Sequence, residues 1–150
     1  MTSTTARIRG RARGFTLIEI LIVVVMLGIL AAIVLPQFIS AADETREESL
    51  KSILHRVRQQ LEIYKEQHRG EYPRLEQFEA QMTEATNADG DTAAIGTAGY
   101  PFGPYLYNMP RNPMTDGTDV GTGEPGTSAW YYEEDTGTFH ANDSEETRQW

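Results

Sequence analysis

The run FTLIEILIVVVMLGILAAIVL, Phe15 to Leu35, limits what this chain can become more than any other stretch. As a helix it spans about 30 Å, the thickness of a bilayer's hydrocarbon core. The segment before it, MTSTTARIRGRARG, holds Arg7, Arg9, Arg11 and Arg13 and no acid. That segment has the character of the basic start of an export signal. The apolar run is longer than an ordinary signal core, and LAAIVLPQF after it offers no clear A-x-A cleavage site. A membrane-spanning helix is therefore expected, with its arginine-rich end in the cytoplasm and the body of the chain on the far side.

Pro36 follows the run. Within a helix it removes a backbone hydrogen bond and crowds the preceding turn. The pattern beyond it favours a helix that kinks and continues. Leu50, Ile53, Leu54, Val57, Leu61, Tyr64 and His68 recur at helical spacing and form one apolar stripe. Glu47 and Lys51 stand four apart in the favourable order. The helix is expected to run from Phe15 to about Arg69, with Gly70 as its C-cap and Pro73 as a stop. A helix of that length, about 80 Å, exceeds what a globule of this size needs, so part of it must project. Gly28 and Pro36 are tolerable irregularities of a membrane helix, or weak points where it can kink or melt.

RLEQFEAQM predicts a short second helix with Leu75, Phe78 and Met82 inward. TEATNADGDTAAIGTAG (83–99) reads as a loop, YPFGPYLYNMPRNP as ordered but irregular, and TDGTDVGTGEPGTS as a second loop. AWYYEEDTGTFHAN predicts a β-hairpin turning at EDTG. Trp130, Tyr131 and Tyr132 suit a strand packed on the long helix better than a binding platform. The domains expected are a basic leader at 1–14, a transmembrane or filament-core helix at 15–39, its amphipathic half at 40–69, and a small α+β head at 70–150.

Composition narrows the chemistry. The formal charge is −9, and it falls to −13 if the four leader arginines are removed. So acidic a body disfavours nucleic acid as a direct partner. The chain has no cysteine, which excludes disulfides and thiol chemistry. Asp116, Asp119, Glu124, Asp135 and Asp143 offer hard oxygen ligands, but DGTDVGTGE lacks the bidentate acid of an EF-hand, and loop acids are usually just solvated. No cofactor is expected, with calcium the open alternative. His55, His68 and His140 match no zinc or triad spacing, and no nucleophile–base pair supports an enzyme. Asn142-Asp143-Ser144 fits a glycosylation sequon of the kind that arises often by chance.

Gly14-Phe15-Thr16-Leu17-Ile18-Glu19 resembles the signal of type IV prepilins and of the pseudopilins of type II secretion. The resemblance continues through Gly28, ILAAI (29–33), Pro36 and Gln37. It implies that a prepilin peptidase cuts between Gly14 and Phe15 and that the new amine of Phe15 is methylated. LEIYKEQHRGEYP (61–73) and GPYLYNMPRNP (103–113) are similar to the corresponding segments of major pseudopilins. Such proteins typically end in a calcium-binding loop with a Ser-x-Gly-x-Asp-Gly pattern. EEDTGTFHANDSEE stands in its place here.

Glu19 then has two readings. An acid one turn from the membrane surface can snorkel toward headgroups. Alternatively, because an acid inside a membrane helix is costly and usually functional, it pairs with the Phe15 amine of a neighbouring subunit, and this reading is favoured. The expected protein is a pilin-like α+β structural subunit: one long N-terminal helix, half membrane-spanning and half amphipathic, bearing a small antiparallel β-sheet head. The resemblance implies a homo-oligomeric helical filament of type II secretion, minor pseudopilins or pilins as companions, and an inner-membrane assembly platform with its ATPase. The head lies in the periplasm, and the filament is periplasmic or at the surface. A type IV pilus subunit for adhesion, motility or DNA uptake is the alternative. A membrane-tethered ligand-binding domain is the class outside both.

Overall fold

The computed structural model describes residues 14–150. The chain divides into two units, Met1–Ala42 and Asp43–Trp150. Among the described residues, helix α1 (Leu17–Gln67) leads. A 3-10 turn (Leu75–Gln77), helix α2 (Phe78–Thr83) and the two-residue strands β1 (Ala85–Thr86), β2 (Thr92–Ala93) and β3 (Val120–Gly121) follow. Strands β4 (Trp130–Glu133) and β5 (Thr138–Ala141) and a 3-10 turn (Thr147–Gln149) complete the order.

α1 begins at Leu17, two residues after the expected Phe15, behind a cap at Thr16. Thr16 Oγ1 accepts from Glu19 N at 3.3 Å, and Thr16 N donates back to Glu19 Oε2 at 3.4 Å. This reciprocal pair is a capping box, readable in the sequence as Thr16-x-x-Glu19. α1 runs through Gly28 and Pro36 without interruption. At its other end the cap differs from expectation. The left-handed residue is Arg69 (φ 61°), not Gly70 alone, and Gly70 N donates to Lys65 O at 2.9 Å. A non-glycine residue in that conformation costs roughly 1–2 kcal/mol. It leaves Gly70 (φ 91°) as the second left-handed residue of a Schellman-type ending.

In the second unit, the expected stripe is the core. Leu50, Leu54, Val57, Leu61 and Tyr64 are buried with Phe78, Met82, Leu106, Met109, Trp130, Tyr132 and Phe139 in one apolar cluster. Each large side chain so buried contributes about 1.5–3 kcal/mol. Ile53 packs on the edge of that cluster, and His68 is buried at the end of the stripe. α2 turns Phe78 and Met82 inward as its sequence predicts, and Leu75 packs on the cluster.

The hairpin is β4–β5, antiparallel, with Trp130 opposite Ala141 and Glu133 opposite Thr138. Alternation puts Trp130 and Tyr132 inward, where Phe78 lies 4.4 Å from Tyr132 and Phe139 5.2 Å from Trp130, centroid to centroid. Gly137 (φ 70°) closes the turn, and a Cβ there would strike the Tyr72 ring. Two segments expected as loops carry short strands. β3 pairs in parallel with β4, adding an edge to the antiparallel hairpin. β1 and β2 form a separate antiparallel ladder within 83–99. Two-residue strands have no measurable periodicity, so nothing in their sequences distinguishes them from turns.

The GPYL segment ties these pieces together. Tyr105 N and Leu106 N donate to Met82 O, at 3.0 and 2.8 Å, and Tyr105 Oη donates to Gln67 Oε1 at 2.7 Å. Arg58 reaches from α1 to the backbone carbonyls of Phe139 (2.9 Å) and Trp150 (2.7 Å).

Candidate functional site

In the first unit every described residue from Gly14 to Phe38 is exposed. Phe15 is 78% and Leu17 85% accessible. Leu21, Val24, Leu27, Leu30 and Val34 are likewise exposed. The helix is long and apolar enough to cross a membrane. Exposed apolar area on this scale marks a lipid-facing or protein-facing surface.

The residues singled out from sequence lie along this surface. Gly14 and Phe15 precede α1, Glu19 is in its first turn, and Gly28 and Pro36 are inside it. A Cβ built at Gly14 or Gly28 meets no atom within 4 Å. The rest of the leader, residues 1–13, lies outside the described residues. Glu19 holds its own helix start through Thr16. Among the described residues its carboxylate makes this one exposed, long contact. Sequence reading overlooked Thr16, although the T-x-x-E spacing signals it.

The head contains no comparable chemistry. Among the described residues no group of three or more His, Cys, Asp or Glu is placed to hold a metal ion. Asp116 pairs with Arg111 at 3.1 Å on the surface, Asp119 Oδ2 accepts from Ala129 N, and Asp143 Oδ1 accepts from Thr147 Oγ1. Trp130 and Tyr132 are core residues whose polar atoms reach Pro110 O (3.0 Å) and Pro73 O (2.6 Å). Tyr131 stacks on His140 with centroids 4.4 Å apart. Asn142 is fully buried and its amide is engaged, so the sequon does not present an acceptor for glycosylation.

His68 lies 3.6 Å from Tyr64, ring on ring. The Tyr64 carbonyl can only accept, so His68 Nδ1 carries the proton and donates to it at 2.7 Å. Nε2 is then the acceptor for the Thr86 hydroxyl at 3.0 Å. Burial pushes the His68 pKa below its ordinary value, against a smaller opposing effect of the Tyr64 carbonyl. The imidazole is therefore a neutral link between the end of α1 and β1.

An apolar, exposed helix start followed by a small α+β head marks a pilin-like protein. Comparison with known proteins agrees. The "Prokaryotic N-terminal methylation motif" matches residues 9–35. The chain is 32% identical over 116 residues to the type II secretion system core protein G of Klebsiella pneumoniae, covering 77% of each. It is 32% identical over 117 residues to that of Pectobacterium carotovorum, covering 77% of this chain and 69% of the relative. A type IV narrow pilus major component of Thermus thermophilus is 44% identical over 48 residues, 32% of this chain and 41% of the relative. No solved structure gives a significant match. The chain belongs to the family of type II secretion system core protein G, the major pseudopilins.

Proposed function

We propose that this chain is the repeating subunit of a type II secretion pseudopilus, cut between Gly14 and Phe15, methylated on the Phe15 amine and polymerised through the apolar half of α1. The observation that carries the reading is that every residue from 14 to 38 is exposed, while the core of the head is closed. Such a surface serves twice. It anchors the precursor in the inner membrane, arginines on the cytoplasmic side and head in the periplasm, and it then packs against its copies. A heterologous interface that does not close generates a fibre. Minor pseudopilins, the prepilin peptidase and an inner-membrane platform with its ATPase are the partners this role requires. The reading is structural, with no catalytic step.

Glu19 selects the register. In the single chain it caps its own helix. In the filament it turns to the charged Phe15 amine of a neighbour. Such a pair is worth about 1 kcal/mol at 4 Å in water and several-fold more in low-dielectric surroundings. A register that leaves the acid unpaired among apolar side chains is penalised. Glu19→Ala keeps insertion and helix propensity. The expected result is normal processing, with a mature chain starting at Phe15 by intact mass, and a large loss of sheared fibres. Normal fibre yield makes Glu19 a bystander, and a mature chain starting elsewhere defeats the reading.

The resemblance to the Thermus pilus component favours one alternative, a type IV pilus subunit. Deleting the chain distinguishes the two. Loss of exoprotein secretion supports the pseudopilus, and loss of adhesion or motility with secretion intact supports the pilus.

A further inference from the structure

Residues 123–128 fold around a single nitrogen. Nδ2 of Asn142 lies 2.9 Å from Ser128 Oγ and 3.1 Å from Glu124 O, with Gly123 O (3.4 Å) and Thr127 Oγ1 (3.5 Å) behind them. Four oxygens converging on one point supply part of the oxygen shell, about six to eight ligands, that a calcium ion takes. Here an amide takes the point, and a guanidinium stands beside it. Arg148 Nη2 reaches Gly123 O at 3.3 Å and Asn142 Oδ1 at 3.4 Å. Arg148 is steadied by Glu145 at 3.5 Å and by the Tyr131 ring at 5.5 Å. The backbone of Asn142 closes the arrangement, accepting from Gly126 N and donating to Ala129 O.

We propose that Asn142 and Arg148 form an internal latch that fills an oxygen cradle suited to a divalent cation, so that the head folds and holds its 123–128 loop without calcium. The calcium-loop pattern typical of major pseudopilins is absent from this sequence, and the residues present do not fit the ion. Two inward N–H groups and a positive charge repel a cation at the point where the oxygens would bind it. The inference rests on the head alone and does not depend on which filament the chain builds.

The test uses the full-length chain in detergent micelles, with thermal unfolding followed by the fluorescence of Trp130 and Trp150, in calcium chloride and in EGTA. The parent chain is expected to melt at the same temperature in both. A rise of several degrees in calcium overturns the proposal. Arg148→Gln is expected to lower the melting temperature by roughly 5 °C in either buffer, and an unchanged value also overturns it. Asn142→Asp turns the cradle into an all-oxygen site, so its loss of stability in EGTA should be partly recovered by calcium. A variant as stable as the parent in EGTA, or one that loses stability and ignores calcium, overturns the assignment of the cradle. The parent chain and Arg148→Gln decide the proposal even if Asn142→Asp does not fold.

Discussion

Residues 17–38 and 50–67 are both helical, yet they solve opposite problems. The first stretch is apolar on every side and uncovered. The second is apolar along one stripe, and that stripe is buried from Leu50 to His68. A helix apolar all round needs an apolar solvent, whereas a helix apolar on one side needs one partner surface. The head is that partner. Its sheet, α2 and the GPYL segment supply the aromatic cluster that covers the stripe. What distinguishes the two halves is therefore what each must meet, and only one of them meets it within its own chain.

Cutting between the halves should produce the largest effect. A fragment beginning at Asp43 drops the uncovered surface and retains every residue of the apolar cluster. It is expected to be soluble, folded and monomeric by sedimentation and circular dichroism. An unfolded fragment, with or without calcium, breaks the comparison. Next in size is a pair of alanine substitutions read in the full chain by chemical denaturation. Trp130→Ala should cost the head about 3–5 kcal/mol. Leu30→Ala, at an exposed site in the other half, should change head stability by less than about 0.5 kcal/mol.

A smaller effect concerns acid. Burial lowers the pKa of His68 and of His140 in the folded head. The unfolded chain, with histidines near the ordinary value of about 6.5, therefore binds protons first as pH falls. Stability should decline as pH drops through about 6.5 and level off only below the folded pKa. His68→Gln should flatten the slope in part, with His140 contributing the remainder. A melting temperature independent of pH between 7.5 and 5.5, values chosen about one unit either side of the histidine pKa, would contradict the buried neutral imidazole. The smallest effect belongs to the other end of α1. Thr16→Val removes the cap hydroxyl, worth about 1 kcal/mol. Amide exchange at Glu19 should then quicken roughly fivefold with head stability unchanged.

Much of this is legible in the sequence. The apolar run, the helical stripe, the inward residues of the second helix and the EDTG hairpin are periodic or local patterns, and each lies where its pattern predicts. The residues proposed for processing and assembly form a linear signal instead: a glycine, a phenylalanine and a glutamate at fixed places around an apolar run. Less was visible where the chain makes non-local pairs from short segments. β3 reads as a Gly- and acid-rich loop, yet it pairs with β4 across ten residues. The left-handed Arg69 stands where the sequence points to its glycine neighbour.

The amino-acid sequence by itself determined that this chain carries a long apolar helix and which stripe of its continuation is buried. Burial of apolar side chains follows period and composition, which need no knowledge of distant residues. Only the tertiary structure decided how the head closes. Asn142 reads in sequence as a sequon, and Arg148 as one cation in a polar tail. Folding brings both to the carbonyls and hydroxyls of 123–128, because a hydrogen-bond cradle is a matter of direction and distance within about 3.5 Å, and no spacing along the chain encodes that.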